Sequence, residues 1–298
     1  MKKILILGGG FSKERAISLE TAKSVLKALK KKKTKVFSSD TSINNIISGK
    51  LDYTMSAVVG LAGLQPTIDV VKISKTVAIA NKETIICGWN ILSKLVKKYK
   101  TKLVPVDSEH FSIMELTKSV NDSEVEEIII TASGGPFLDT PLDAMSDITP
   151  DQAAAHPRWS MGRKISIDSA TMMNKGLEMI EACVLFGVNP QNVEVVIHPE
   201  SIVHSLVEYL DGSIVAQLAN PDMRVPIAAA LADPERIESG VERLDLVRAG
   251  QLNFQNPDDR KFPCLAMARQ VAEAGGSAPI VLNAANEVAV NGFCEGRL

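Results

Sequence analysis

The sequence predicts an α/β fold in which a parallel sheet comes first and a mixed sheet follows. Two apolar runs, Ile4 to Leu7 and Thr76 to Ala80, are bounded by polar or glycine residues, as buried parallel strands are. Further on, strand-like Ser205 to Tyr209 and Ser213 to Leu218 are joined at Asp211-Gly212, a strong hairpin signal. We therefore expect a Rossmann-like parallel-sheet N-terminal domain, an α+β domain with a mixed sheet, and helices at the C-terminal end.

The N-terminal domain is predicted to begin with an unusual βαβ unit. A glycine turn, Gly8 to Gly10, follows the first strand, and a helix from about Ser12 to Lys31 and a strand starting over Lys35 to Phe37 would come next. A dinucleotide fingerprint requires a third glycine three residues after the second, and Lys13 occupies that position. The first unit is therefore atypical, and a polar connection over residues 39–55 would separate it from the rest.

Later elements are predicted from their flanking residues. Ala57 opens a buried strand and turn that lead to a helix ending near Val71, and a further helix runs to about Tyr99. In the second domain, a strand over Lys164 to Ile167 precedes a helix opening at Asp168 or Ser169, where a polar side chain can cap the first turn. The remaining predicted elements are strands over Glu127–Thr131 and Val193–His198 and helices over Pro263–Ala274 and Pro279–Phe293.

The composition and charge are those of a globular protein. The 298 residues carry a net charge of -2 and are 45% hydrophobic, so nucleic acid is not an expected partner. The four cysteines form no CxxC pair, which indicates free thiols in a reducing compartment. No apolar run is long enough to cross a bilayer, and the N-terminus has the pattern of a first strand and not of a signal peptide. We therefore expect a cytoplasmic protein without a membrane partner.

A polar cluster on the helix predicted after Asp168 could bind a phosphate. Asn174 and Glu178 are four residues apart, and Lys175 and Glu178 are three apart, so these side chains share a helix face. The hydroxyl of Ser169, an amide and an ammonium near a helix N-terminus can hold a phosphate, while a carboxylate one turn on can bind a divalent cation. The alternative is a capped surface helix with an ion pair.

A second polar cluster follows the apolar run that starts at Leu103. Along an extended chain Asp107 and Glu109 point the same way, which is costly unless a cation or a proton lies between them. Together with Glu178 they would form a three-carboxylate site that suits Mg²⁺ or Mn²⁺ better than Zn²⁺. The alternative is an exposed turn after an edge strand.

Three further segments could serve a binding site. The two glycines that follow Ser133 allow close approach to an anion, or form a plain turn. The run Asn81 to Glu83 follows a predicted strand, where open α/β sheets bind ligands, or it simply begins a helix. Trp159, in a loop with flanking glycine and proline, suits a closing lid, or it anchors the loop to the core.

Six motifs stand out in the order in which they occur: Pro105–His110, Ser133–Phe137, His156-Pro157, Trp159–Lys164, Asp168–Glu178 and His198–Ser201. Together they closely resemble the 1-deoxy-D-xylulose 5-phosphate reductoisomerase family, from about Ser56 to the C-terminus. By comparison with that family, the helices predicted at the C-terminal end would be the start of a C-terminal helical bundle, which would be truncated. The start of the chain, about residues 1–40, instead resembles the start of D-alanine–D-alanine ligases, through Gly8–Arg15 and Ile17–Glu20.

The resemblance implies a metal- and NADPH-dependent enzyme that converts 1-deoxy-D-xylulose 5-phosphate to 2-C-methyl-D-erythritol 4-phosphate in non-mevalonate isoprenoid biosynthesis. It would act as a homodimer. The implied catalytic residues are Lys82, Asp107, Glu109, His156 and Glu178, and the metal ligands for Mn²⁺, Mg²⁺ or Co²⁺ are Asp107, Glu109 and Glu178. The implied substrate contacts are Lys82, Ser108, Glu109, Ser133, His156, Ser169, Asn174, Lys175 and Glu178, and the NADPH contacts are Asn81, Glu83, Gly162 and Met223. The other histidines would be structural or support these residues.

The resemblance also divides the chain into segments. These are a nucleotide-binding Rossmann-like domain over 1–108, with 1–55 atypical, a metal- and substrate-binding domain over 109–232, a linker over 233–258 and a partial helical domain over 259–298. Two alternatives stay open. One is a catalytically dead hybrid that binds only metal and sugar phosphate, because the first βαβ unit would be foreign to the family and the family's last helices would be missing. The other is an ATP-dependent D-alanine ligase fragment. Metal-dependent NADPH oxidation would separate the three.

Overall fold

A computed structural model describes residues 4–7, 49–157 and 161–298 of the chain. The chain forms two compact units, Met1–Asp107 and Ser108–Leu298. The predicted glycine turn at Gly8 to Gly10, the helix after it, the strand near Lys35 and the loop residue Trp159 lie outside the described residues. The further boundaries expected at 232/233 and 258/259 stay predictions.

The first unit contains a parallel sheet, as predicted, and four of its strands lie among the described residues. Its strands lie in the order β1-β2-β3-β4, and every neighbouring pair is parallel. Between β2 and β4 the chain forms a 3-10 turn over Gly60–Gly63 and two helices. The described elements are β1 (Ile4–Leu7), β2 (Leu51–Ser56), α1 (Leu64–Val71), β3 (Ser74–Ile79), α2 (Lys82–Tyr99) and β4 (Lys102–Pro105).

Strand β2 lies where a polar connection and then a strand from Ala57 were expected, so that prediction is wrong. Its polar side chains Thr54 and Ser56 are fully buried. They remain inexpensive to bury because Thr54 Oγ1 lies 2.7 Å from Ser74 Oγ and Ser56 Oγ lies 2.7 Å from Thr67 Oγ1. Strand β2 can therefore be buried although part of its sequence is polar.

The second unit is built on a mixed sheet with strand order β6-β5-β7-β8. The pair β5–β6 is parallel, whereas β5–β7 and β7–β8 are antiparallel, so the predicted mixed sheet and hairpin are confirmed. Before and between the strands are α3 (Ser108–Thr117), β5 (Val125–Ala132), α4 (Pro150–Ala154), α5 (Arg163–Ala170), α6 (Met173–Phe186), β6 (Val193–Ile197), β7 (Val203–Tyr209) and β8 (Ile214–Leu218). After them come α7 (Arg224–Ala232), α8 (Leu246–Ala249), α9 (Pro263–Ala274) and α10 (Ala278–Cys294).

The segment predicted as a strand over Lys164 to Ile167 is helical and forms part of α5. Its start is stabilised by the Gly162 carbonyl, which accepts hydrogen bonds from the backbone N–H and the Oγ of Ser166. Asp168 does not cap a helix start but lies near the end of α5, where it pairs with Lys164 one turn back. The next helix, α6, begins after Met172, which adopts a left-handed φ of 57°.

Helices α9 and α10 each pack closely against another helix of the second unit. A Cβ at Gly176 of α6 would lie 2.5 Å from Cβ of Ala268, so α9 approaches α6 closely at this glycine. On α10, Val290 belongs to the same buried apolar cluster as Ile167 and Ala170 of α5. The two predicted C-terminal helices are therefore present and packed. No helix among the described residues combines the length and the apolar character that a membrane span requires.

Candidate functional site

Two carboxylates and one ammonium group form the centre of the candidate site. Glu109 lies in the first turn of α3, and Lys175 and Glu178 lie one turn apart on α6. Lys175 Nζ is 2.6 Å from Glu109 Oε1 and 2.5 Å from Glu178 Oε2. We call these three residues the carboxylate–lysine cluster. Both glutamates contact the Lys175 ammonium although they are 69 positions apart in the sequence.

The cluster is almost fully shielded from solvent. The side chains of Glu178, Lys175 and Glu109 are 2%, 10% and 15% exposed. Asn174 Nδ2 donates a 2.6 Å hydrogen bond to the Glu178 carboxylate, and Ser108 Oγ donates a 2.5 Å hydrogen bond to the Glu109 carboxylate. Charged groups with so little solvent need such partners, because burying an unpaired charge is very costly.

The cluster fits a divalent cation. Carboxylate oxygens of Glu109 and Glu178 lie within 4.8 Å of one another. Two carboxylates against one ammonium leave a negative charge over, and oxygen ligands suit hard cations such as Mg²⁺ and Mn²⁺. The Lys175 ammonium lies between the two carboxylates, where positive charge is favoured.

Asp107, the third predicted ligand, is the last residue of the first unit. There its carboxylate lies 3.2 Å from Lys82 Nζ. The expectation that Asp107 and Glu109 extend from one strand is wrong, because β4 ends at Pro105 and α3 begins at Ser108. Asp107 and Glu109 are still only two positions apart in the chain. The role of Asp107 as a ligand stays a prediction.

The buried ring of His110 supports the helix that carries Glu178. Its Nε2 lies 2.9 Å from the backbone oxygen of Glu178, and its Nδ1 lies 3.5 Å from Glu181 Oε2. The ring also stacks on Phe186, with centroids 6.3 Å apart. A histidine held by both nitrogens can fix the backbone at Glu178, and the supporting role expected for His110 stays a prediction.

A second part of the site follows β5, where Ser133 meets His156. Ser133 Oγ lies 3.0 Å from His156 Nε2 and accepts a 3.2 Å hydrogen bond from the N–H of Gly135. Gly135 has a left-handed φ of 68°, and a Cβ there would lie 2.8 Å from the Ser169 carbonyl oxygen. This glycine therefore lets the loop pack directly against the end of α5, and the approach to an anion expected from the two glycines stays a prediction.

The environment of His156 favours its neutral form. Burial, followed by the positive charge of Lys175, lowers the pKa of the His156 imidazole to about 4. A neutral ring can accept one hydrogen bond and donate another, whereas an imidazolium can only donate. Ser133 and His156 therefore form an uncharged pair beside a charged cluster.

We expect the His156 ring to stay unprotonated down to about pH 4 in the metal-free protein. The folded pKa lies below the ordinary value of 6.5, so below pH 6.5 the unfolded chain binds the proton first. This group's contribution to stability is therefore present above pH 6.5 and is lost as the pH falls through the folded pKa. An NMR titration of the histidine ring signals, assigned with His156→Gln, measures it. A midpoint near 6.5 would contradict the burial argument.

The chain matches three family models for one enzyme family. A model for 1-deoxy-D-xylulose 5-phosphate reductoisomerase matches residues 12–88, and models for two C-terminal domains of that enzyme match residues 103–186 and 218–298. The 1-deoxy-D-xylulose 5-phosphate reductoisomerase of Pseudomonas putida is 53% identical over 271 residues, which cover 89% of this chain and 68% of that protein. The chain belongs to the 1-deoxy-D-xylulose 5-phosphate reductoisomerase family.

Other members of the reductoisomerase family support this assignment. The enzyme of Pseudomonas syringae pv. tomato is 57% identical over 253 residues, covering 83% of this chain and 64% of that protein. A crystal structure of DOX-P reductoisomerase in complex with NADPH, fosmidomycin and magnesium is 47% identical, with a TM-score of 0.79 over 83% of this chain and 63% of that one. The chain thus spans slightly under two thirds of the length of these two relatives.

The comparisons do not support two of the expectations drawn from the sequence. The resemblance of residues 1–40 to D-alanine–D-alanine ligases is not supported, since the reductoisomerase model already matches from residue 12. The expected C-terminal truncation is not supported either. The ligase fragment and the dead hybrid are accordingly not favoured.

Several predicted residues have structural contacts of their own. Asn81 is buried and caps α2, with its Oδ1 accepting from Thr84 N at 2.7 Å and its Nδ2 donating to the Gly60 carbonyl at 2.7 Å. Ser169 Oγ donates to the Ile165 carbonyl within α5 at 2.9 Å. The remaining predicted contacts lie at helix starts: Glu83 in the first turn of α2, Gly162 before α5 and Met223, 37% exposed, before α7.

Sequence reasoning missed the partners that hold these elements in place. Asn286 on α10 donates a 2.8 Å hydrogen bond to the buried carboxylate of Asp168, which was interpreted as a helix cap. His198 lies with Nδ1 2.9 Å from the Asn253 carbonyl, while its Nε2 accepts from the N–H of Ile202 at 3.2 Å. The spacing of Lys164 and Asp168, four apart, was the one available signal, because it is typical of a helix and not of a strand.

Proposed function

We propose that this chain catalyses the conversion of 1-deoxy-D-xylulose 5-phosphate to 2-C-methyl-D-erythritol 4-phosphate, with NADPH and a divalent cation. The observation that carries the proposal is the carboxylate–lysine cluster, in which the carboxylates of Glu109 and Glu178 both contact the buried ammonium of Lys175. Family membership supplies the substrate class, and the oxygen-rich cluster agrees with the magnesium named for the crystallised relative.

We assign the cation to Asp107, Glu109 and Glu178, with Mn²⁺, Mg²⁺ or Co²⁺ as candidates. A bound divalent cation supplies Lewis acidity and polarises oxygen atoms of a ligand. The second unit's own contribution is to keep the Glu109 and Glu178 carboxylates together where little water reaches them. Lys175 balances part of their charge, and the hydrogen bonds from Asn174 and Ser108 orient the carboxylate oxygens.

The phosphate of the substrate is assigned to Ser133, Ser169, Asn174 and Lys175. Asn174 and Lys175 lie in the first turn of α6, where unpaired N–H groups favour an anion. Binding energy gained at the phosphate, remote from the reacting carbons, holds those carbons in place. Lys82, Ser108 and His156 are assigned to the remainder of the substrate, and the neutral His156 ring can accept a hydroxyl proton in a hydrogen bond.

The reductant is proposed to be NADPH, which a crystallised relative binds. Asn81, Glu83, Gly162 and Met223 are the contacts that the family resemblance assigns to it. We further propose that the protein acts as a cytoplasmic homodimer. The parallel sheet of the first unit supports nucleotide binding, because ligands of such sheets bind beyond the carboxyl ends of the strands.

The test is NADPH consumption by the purified chain, followed spectrophotometrically with 1-deoxy-D-xylulose 5-phosphate present. We expect turnover that requires both the sugar phosphate and Mg²⁺ or Mn²⁺, and that stops when the cation is chelated. Binding of the sugar phosphate without NADPH consumption, in well-folded protein, would reject the enzymatic proposal in favour of the dead hybrid. Consumption that is unaffected by chelation would reject the metal assignment.

A further inference from the structure

A buried carboxylate ties the C-terminal helix α10 to helix α5. Asp168 on α5 is 2% exposed and has two partners on opposite sides of its carboxylate. Lys164 Nζ lies 2.7 Å from Oδ2, and Asn286 Nδ2 donates to Oδ1 at 2.8 Å. Hydrogen bonds to a charged group are stronger than those between neutral groups, and a buried carboxylate that loses one is left partly uncompensated.

The same two helices meet at further contacts. One turn after Asn286, Val290 of α10 packs with Ile167 and Ala170 of α5 in a buried apolar cluster. At the edge of the contact, Lys164 Nζ lies 3.6 Å from Glu287 Oε1. Helix α5 has only eight residues and would be marginal alone, so its position depends on contacts of this kind.

Displacement of α5 would reach the residues assigned to the phosphate. Ser169 directly follows Asp168, and Thr171 Oγ1 donates to the Asp168 carbonyl at 3.2 Å, which stiffens the turn into α6. Asn174 and Lys175 lie in the first turn after it. On the other side of α5, the loop of Gly135 packs on the Ser169 carbonyl. Both parts of the candidate site, the loop after β5 and the start of α6, therefore depend on the position of α5.

We propose that Asn286 is a positioning residue for substrate binding: through the carboxylate of Asp168 it holds α5, and with it the phosphate-binding groups. This inference rests on the proposed function for the identity of the ligand. Asn286 touches neither the phosphate contacts nor the carboxylate–lysine cluster in any described hydrogen bond. Its effect should therefore fall on the affinity for the sugar phosphate and not on the chemical step.

The experiment compares four variants of the full chain. Asn286→Ala is expected to raise the dissociation constant and KM for the sugar phosphate about tenfold, the effect of losing one hydrogen bond to a charged group, with kcat within about twofold. Asn286→Asp opposes two carboxylates, so its loss of affinity should be larger. Asn283→Ala is the matched control, since Asn283 is also buried on the same helix and its Oδ1 has no hydrogen-bond partner among the described residues.

The fourth variant exchanges the two partners. In Asp168→Asn with Asn286→Asp, the amide and the carboxylate change places and the hydrogen bond between them can re-form. We expect this double variant to bind the sugar phosphate more tightly than Asn286→Asp alone. If the role of Asn286 were merely structural, all variants would have the same affinity for the sugar phosphate and would differ only in thermal stability.

The results separate this inference from the proposed function. Affinity is measured by calorimetry with Mg²⁺ present, independently of turnover. If the unaltered chain binds the sugar phosphate but does not consume NADPH, the proposed function fails while the affinities still decide the role of Asn286. Equal affinities of the unaltered chain and Asn286→Ala, equal losses in Asn283→Ala and Asn286→Ala, or an absence of sugar phosphate binding in the unaltered chain would each overturn the inference.

Discussion

Replacing Glu178 with glutamine is expected to lower divalent-cation affinity by about a hundredfold or more and to abolish measurable turnover. Losing a residue that merely orients a metal ligand already costs 10- to 100-fold, and Glu178 is proposed as a ligand itself. The amide has the size of the carboxylate but carries no charge and has only one acceptor oxygen. That oxygen can still accept from Asn174, which leaves the NH₂ group facing the Lys175 ammonium.

Calorimetric titration with Mn²⁺ measures this loss, and thermal unfolding shows whether the variant is folded. Glu273→Gln is the control, because it removes the same charge from an exposed position on α9. We expect the control to bind Mn²⁺ like the unaltered protein. Undiminished affinity in Glu178→Gln would exclude Glu178 as a ligand and leave the cluster as a structural ion pair.

Gly135→Ala is expected to lower the free energy of unfolding by about 3 kcal/mol, combining a left-handed backbone and an overpacked contact. The φ of Gly135 is 68°, and the added Cβ would lie 2.8 Å from the Ser169 carbonyl oxygen and 3.0 Å from Ala170 Cα. Both neighbours are backbone atoms, so neither can rotate away. The loop of Ser133 would separate from α5, and affinity for the sugar phosphate should fall as well.

Gly187→Ala is the matched control for this prediction. Gly187 ends α6 with a φ of 67°, yet a Cβ there would meet nothing within 4 Å. Its cost should therefore be that of the left-handed backbone alone, about 1 kcal/mol. Chemical denaturation of both variants measures the difference. Equal losses of stability would show that the contact between Gly135 and α5 is unimportant.

The predictable part of this fold is the part encoded by local pattern. Continuous apolar runs indicated the parallel strand β3, and the Asp211-Gly212 turn between two strand-like runs indicated the hairpin of β7 and β8. The helix predicted over Pro263–Ala274 is present with these bounds as α9. In each case the decisive residues lie within a few positions of each other.

Two elements were misassigned, and in both of them contacts with distant residues support the observed structure. Strand β2 has buried hydroxyls whose partners, Thr67 and Ser74, come from later segments. Helix α5 has an alternating start, Lys164 to Ile167, that fits a strand equally well. Its helical form is favoured by the pairing of Asp168 with Lys164 and with Asn286.

The candidate site shows the same division. Helical spacing correctly predicted that Glu178 shares a face with Asn174 and Lys175, and both contacts are present. No local pattern could show that Glu109 reaches the same ammonium, because that contact depends on how α3 and α6 pack. The pKa of His156 likewise depends on burial and on Lys175, neither of which is visible in its neighbours along the chain.

The hydrogen bond between Asn286 and Asp168 also affects how the protein can fold during its synthesis. The two residues are 118 positions apart, and translation proceeds at about 5–20 residues per second, so roughly ten seconds separate their appearance. Throughout that interval the carboxylate of Asp168 lacks one of its two partners. Helix α5 therefore cannot gain this contact until Asn286 has been synthesised, and until then the second unit lacks one of the interactions that hold α5 in place.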